Sequence, residues 1–223
     1  MVKLAWDQVG QKTYETGTDR GVLFPYDSTK NGYAKGVAWS GLTKVSEASD
    51  GAEETALYAD NIKYASMTSA ENFKGSITAY QSPVEFDAMD GSAELAKGVT
   101  VTQQDRVPFG FSYRTYIGND TKGDRYGYKI HLVYGAKVSP SKRDNETIND
   151  SPKGTELSWD FTTTPISVEG FKPTAHIIIN SLLLDAGALA KLEAKLYGGQ
   201  DTEPALPTPD ELKALLTTGG AQG

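Results

Sequence analysis

The chain has no cysteine among its 223 residues. No disulfide or thiolate site can contribute to it, in keeping with an intracellular or externally assembled protein. It has only two histidines, His131 and His176. Neither has further His, Cys or clustered carboxylates beside it in sequence, so each reads as a polar-face strand residue and not as a metal ligand. Basic excess is also missing. Twenty-two Lys and Arg stand against 29 Asp and Glu, a net charge of −7, which argues against a duplex held through its phosphates. No apolar run approaches the roughly 20 residues of a membrane-spanning helix. The start, Met1 to Asp7, has no apolar core, so no secretory leader is expected. The sequons Asn119-Asp120-Thr121 and Asn145-Glu146-Thr147 then read as accidental. There is no nucleophile elbow, no P-loop and no dinucleotide-binding glycine pattern. The stretch from Asp87 to Glu94 fails the spacing of a calcium loop. No repeat of fixed period is present.

What the chain does have is alternation. Five runs, Ala34–Val45, Phe73–Gln81, Val107–Ile117, Tyr126–Tyr134 and Leu157–Thr164, alternate apolar with polar residues, as half-buried antiparallel strands require. In the third, Val107, Phe109, Phe111, Tyr113, Thr115 and Ile117 share a face. Its aromatic stripe reads as core before it reads as a platform for sugars or bases. Turn chemistry at Gly118–Asp124 joins the third and fourth runs into a hairpin. In the fourth, Tyr128, Ile130, Leu132 and Tyr134 face one way, and Lys129 and His131 the other. Gly21–Tyr26 is a shorter apolar run. Residues 1–20 read as an arm or first strand with Trp6 as an anchor. Ile62–Ser69 and Phe73–Gln81 read as a hairpin around Ala70-Glu71-Asn72, and Phe171–Asn180 as a last strand.

Three helices are expected. Ser82, Pro83 and Glu85 resemble a capping-box start to a short helix ended by Gly91. Asp185 caps a helix with Leu189, Leu192 and Leu196 on one face, stopped by Gly198-Gly199. After a linker carrying Pro204 and Pro207, Thr208-Pro209-Asp210-Glu211 opens an amphipathic helix with Leu212, Leu215 and Leu216. Isolated helices below about 12 residues are marginal in water, so the stripe on Pro209–Leu216 must dock on its own sandwich or on a neighbour. The last residues, from Thr217, read as frayed.

One segment breaks the pattern. Ser46–Asp60 holds Glu47, Asp50, Glu53, Glu54 and Asp60 with no basic residue. It reads as a loop, either simply solvated or placed to contact another subunit. A second polar loop, Lys137–Lys153, offers Lys137, Lys142 and Arg143 as counter-charges.

Several segments together resemble one family, the major tail (tail tube) proteins of long-tailed, sheathless bacteriophages of Gram-positive hosts. They are Gly36–Thr43, Leu57–Tyr64, Phe109–Arg114 with Gly118-Asn119-Asp120, Tyr126–Gly135, Ile148–Pro152 and Ser158–Pro165, in order over residues 1–200. The resemblance implies a mainly β, β-sandwich or barrel-like tube fold with a flanking helix and a C-terminal helical extension. We divide the chain accordingly into a tail tube β domain, residues 1–199, and a Pro-rich linker with short helix, residues 200–223. The resemblance further implies a structural virion subunit with no catalytic residues, cofactor or metal, and no membrane contact. Such subunits form hexameric rings that stack into a tail tube. The tube encloses a tape-measure protein, meets tail terminator and distal tail proteins at its ends, and conducts DNA without binding it specifically. On this reading Val37–Val45, Ile62–Gln81 and Val107–Tyr134 supply the ring's barrel, with Lys74, Thr78, Ser112, Arg114 and Lys129 split between lumen and outer packing. The competing functions are a carbohydrate-binding β-sandwich adhesin and, more remotely, an enzyme on the same scaffold.

Overall fold

The computed structural model describes residues 3–147 and 154–217. The Ile148–Pro152 segment and the tail beyond Thr217 lie outside these residues. Thirteen strands form in chain order: β1 (Thr13–Asp27), β2 (Gly32–Tyr33), β3 (Val37–Trp39), β4 (Leu42–Gly51), β5 (Glu54–Ala59), β6 (Ile62–Thr68), β7 (Glu71–Ala79), β8 (Ala93–Ala96), β9 (Val99–Val101), β10 (Phe109–Asn119), β11 (Gly123–Val138), β12 (Leu157–Thr163) and β13 (His176–Asn180). The helices are α1 (Asp87–Asp90), α2 (Ala186–Tyr197) and α3 (Pro209–Thr217). The protein is mainly β and sandwich-like, as expected.

The main sheet runs β2-β1-β10-β11-β12-β7-β4, with β3 on β1 and β13 on β11. All its pairings are antiparallel. β3 leads directly into β4, so the far end of the sheet returns toward β1 and the sheet curls. Strand β11 forks. Lys129–Val133 pair with β13, while Ala136–Val138 pair with β12. The fork lies at Gly135, whose φ is +58° and where a Cβ would meet the Thr164 carbonyl oxygen at 2.4 Å. Only glycine fits that position.

Period-two alternation sends the β1, β10 and β11 side chains into two cores. Inside the curl lie Leu23, Trp39, Ile77, Phe86, Phe109, Phe111, Tyr113, Val133, Trp159 and Phe161. The aromatic stripe of β10 is therefore core. On the outer face, Val22, Phe24, Ile130, Leu132 and Tyr134 pack against Leu192 and Leu196 of α2 and against Leu206 and Leu212. The central strands are thus covered on both faces. The sequence reading expected one face of this hairpin to be polar, but Ser112 and Arg114 are buried beneath the helical layer. At Gly110 a Cβ would strike Leu206 at 2.4 Å, so the missing side chain lets the C-terminal segment lie flat on the sheet.

The helices follow their caps. The Asp185 carboxylate accepts from the Gly187 and Ala188 amides at 2.8 and 3.1 Å. Thr208 and Glu211 form a reciprocal capping box: the Thr208 amide donates to Glu211, and the Glu211 amide to the Thr208 hydroxyl. The helix expected after Ser82 is shorter and built differently. Val84–Phe86 is a 3-10 turn without side-chain capping, and α1 then runs to Gly91. Residues 200–208 do not hold α3 away from the body. The Gly36 amide donates to the Pro204 carbonyl (2.8 Å), the Ala205 amide to the Lys195 carbonyl (2.8 Å), and the Tyr134 hydroxyl to the Pro207 carbonyl (2.9 Å). The apolar stripe of α3 is docked on its own subunit.

Candidate assembly surface

The acidic segment is not a loop. Ser46–Gly51 continues β4 and pairs residue by residue with β7. Glu54–Ala59 is a strand of its own that pairs with β6. The turn between them is Asp60-Asn61, both with positive φ, +50° and +61°. That is the two-residue type I′ geometry favoured by strand twist. Ile62–Thr68 pairs with β5 and not with β7, β7 pairs with β4 and β12, and Asp60 is a turn residue.

The β5–β6 ribbon prolongs the β4–β7 pair in the same register, with Gly51 opposite Glu71, Glu54 opposite Thr68 and the Ser69 amide donating to the Glu53 carbonyl between them (3.1 Å), and among the described residues no third strand pairs with it. Leu57, Tyr58, Ile62, Tyr64 and Met67 on it are all exposed, four of them by more than 60%. Leu57 lies opposite Ala65, and Thr55 opposite Met67, so Leu57 and Met67 share a face. A two-stranded ribbon in water is marginal by itself, and this one turns large apolar groups outward. A second two-stranded ribbon, β8–β9, exposes Leu95 and Val99. Trp6 is 75% exposed and anchors nothing in the described chain.

The acids and bases chosen from sequence do not meet. Asp50 pairs with Lys74 at 2.9 Å and Glu54 with Lys63 at 2.5 Å, both within their own ribbons. Lys142 pairs with Asp144 at 2.9 Å. Lys137 belongs to β11 opposite Thr162, and Arg143 is exposed. Among the described residues, neither Glu53 nor Asp60 makes an ion pair.

Glu47 behaves differently. It follows Val45 on the inward face of β4, where the curl opens, and there it meets both histidines. Its Oε1 lies 3.1 Å from His131 Nδ1, and its Oε2 lies 3.9 Å from His176 Nδ1. It also accepts a short hydrogen bond from the Tyr113 hydroxyl. His131 Nδ1 and His176 Nε2 are 3.1 Å apart, and His131 Nε2 is 3.1 Å from Thr115 Oγ1. The two imidazole planes lie within 15° of each other with centroids 5.3 Å apart. With facing nitrogens so close, the rings must meet edge to edge. Tyr113 stacks on His131 at 4.5 Å, and Phe73 on His176 at 4.4 Å.

These surroundings set the charges. The hydrogen bond from His131 outweighs burial and, with Tyr113 and the nearby imidazoles, holds the Glu47 carboxyl down at about 2. Burial lowers His176 to about 4 despite the carboxylate. Burial and the bond to Glu47 raise the Tyr113 hydroxyl above its ordinary value. At neutral pH the cluster therefore holds a carboxylate and a neutral His176. Sequence reasoning placed both histidines on solvated faces. In the fold His131 is 4% exposed and His176 only partly exposed. The usable signal was the β10–β11 register, which sets His131 opposite Tyr113.

Beside the cluster runs an open groove of about 1230 Å³, bordered by Glu47, Ser49, Glu71, Phe73, Lys172 and His176 among others. A second charged knot lies on the outer face. Arg114, 7% exposed, forks onto both oxygens of Asp19 at 2.9 and 2.8 Å and lies over the Tyr128 ring at 4.6 Å. No protein-family model and no curated protein matches the chain.

Proposed function

We propose that this chain is a structural subunit of a bacteriophage tail tube, one that assembles with copies of itself into stacked hexameric rings. One observation carries the reading: the β5–β6 ribbon, which prolongs the β4–β7 pair with no third strand beside it among the described residues, displays Leu57, Tyr58, Ile62, Tyr64 and Met67 to solvent. Such a ribbon gains stability when something covers it. The occupant we assign is a second copy of the chain. The ordered run of segments that resembles major tail proteins supports that choice. So does the acidic balance, which suits a conduit that should not grip passing DNA. A tape-measure protein inside the tube, and terminator and distal tail proteins at its ends, belong to the same proposal, as does a place in the virion. Of the charged residues singled out from sequence, Glu53, Asp60, Lys137 and Arg143 keep charges available for a neighbouring ring.

The test is negative-stain microscopy and native mass measurement of the purified chain at high concentration, beside a Leu57→Ser/Met67→Ser variant. Rings or tubes from the natural chain, with a folded but monomeric variant, are expected. A natural chain that stays monomeric refutes the reading, as does a variant that still forms tubes. A monomer that binds glycans would point instead to a carbohydrate-binding module.

A further inference from the structure

We propose that Glu47, His131 and His176 form a binding site for one zinc-class divalent cation per chain, clasping β4 to β11 and β13. The inference is independent of the tube reading.

Geometry carries it. One donor comes from each of three strands, and the donor atoms all lie within 4.8 Å of one another. Ligands about 2.0–2.1 Å from a tetrahedral zinc stand about 3.3 Å from each other. His131 Nδ1 is 3.1 Å from both Glu47 Oε1 and His176 Nε2, close to that edge length. Two imidazoles and a carboxylate are a donor set that zinc accepts.

Hydrogen bonding alone leaves the cluster poorly served. His131 Nδ1 faces a carboxylate oxygen and a second ring nitrogen: with the proton on His131 Nδ1 one N–H serves two acceptors, and with it on His176 Nε2 the Glu47 carboxylate faces a ring-nitrogen lone pair. A cation satisfies all three atoms together. The partners around the donors match what such a site requires. When Nδ1 ligates, His131 Nε2 carries the proton and donates to Thr115 Oγ1 at 3.1 Å, fixing tautomer and ring orientation. Tyr113 donates to Glu47 and orients it. Stacked Tyr113 and Phe73 hold the two rings. The groove leads from solvent to Glu47 and His176, so an ion can enter and a fourth position can be filled by water. The clasp also has a mechanical purpose. β4 is the last strand of the sheet path and, among the described residues, pairs only with β7, and at Glu47, midway along it, the cation would tie it across the open mouth.

The experiment is isothermal titration of the chelator-treated full chain with Zn²⁺, with native mass recorded on the same sample so that assembly is scored separately. Saturable uptake of one ion per chain is expected. So is a rise of several degrees in thermal midpoint that EDTA reverses. Uptake should be lost in His176→Ala and weakened at least tenfold in Glu47→Gln. Absence of saturable uptake by the natural chain overturns the proposal. Uptake undiminished in a folded His176→Ala chain does so too, since the ion would then sit on surface carboxylates. Should that variant not fold, X-ray absorption of the zinc-loaded natural chain decides. Two imidazole nitrogens around the metal uphold the site, and an all-oxygen environment overturns it.

Discussion

Removing two leucines from the C-terminal segment should destabilise the subunit itself and not merely its assembly. Leu206 is 6% exposed and Leu212 is 5% exposed, and both join Leu192, Leu196, Ile130 and Tyr134 in the outer core. A buried Leu→Ala change costs about 2–5 kcal/mol, according to how far the site collapses. The sheet beneath is held by hydrogen bonds on both sides, so little collapse is available here, and we expect ~3 kcal/mol for each. Because the two share a cluster, their effects will not add fully. The double variant should lose about 4–6 kcal/mol, a large part of the ~5–15 kcal/mol typical of a folded domain. With a urea slope of about 3 kcal/mol/M for a chain of this size, the midpoint falls by ~1.3–2 M. The measurement is urea unfolding of dilute monomer, followed by fluorescence of Trp39 and Trp159. Those indoles lie in the inner core, so they report loss of the whole body. Leu183→Ala, at a position 83% exposed, is the control and should leave the midpoint in place. An unchanged midpoint in the double variant would refute docking on the same subunit and turn α3 into an assembly element.

Gly135→Ala should cost about 2 kcal/mol or more, since it combines a left-handed backbone with a Cβ 2.4 Å from the Thr164 carbonyl oxygen; thermal unfolding reads it, and a loss below ~0.5 kcal/mol would mean that the β11 fork tolerates a side chain. Burial pushes the Asp19 carboxyl up, but hydrogen bonds from Arg114 and Tyr116 outweigh it and hold the group below its ordinary value of 3.8. A depressed carboxyl stabilises the fold above its unfolded pKa, and that contribution fades as pH falls from about 4 through the folded value. Asp19→Asn should therefore lower stability at pH 7 by about 1–3 kcal/mol and flatten the acid limb of the pH–stability curve. An acid limb parallel to that of the natural chain would exclude Asp19 as a source. Arg114→Met with Asp19→Leu should be milder than Asp19→Leu alone, because the single change strands a buried guanidinium while the pair removes both charges; urea midpoints in the reverse order would show that the ion pair itself adds stability.

The sequence by itself determined most of the elements whose stability is decided locally. Strict alternation located the strands of β7, β10, β11 and β12, because a pleated backbone puts successive side chains on opposite faces whatever they later meet. Asp185, Gly198 and the Thr208–Glu211 pair placed α2 and α3, since helix ends are closed by groups a few residues away. Two-residue turns are just as local, yet Asp60-Asn61 was hidden by the charges around it, which resemble a solvated loop. Only the tertiary structure decided which strand pairs with which, because hydrogen-bonding edges carry no label in the sequence. β7 therefore passed for the partner of β6, when its neighbours are β4 and β12. The two-sided burial of β10 and β11 was equally invisible. Gly110, Ser112 and Arg114 look like the wet face of a hairpin until Leu206 and α2 close over them. The meeting of Glu47, His131 and His176 is the extreme case. Those residues lie 84 and 45 positions apart in the chain, and each is unremarkable beside its neighbours. Their chemistry arises from a curl of the sheet that brings β4 across to the β11–β13 pair, and no local pattern encodes that closure.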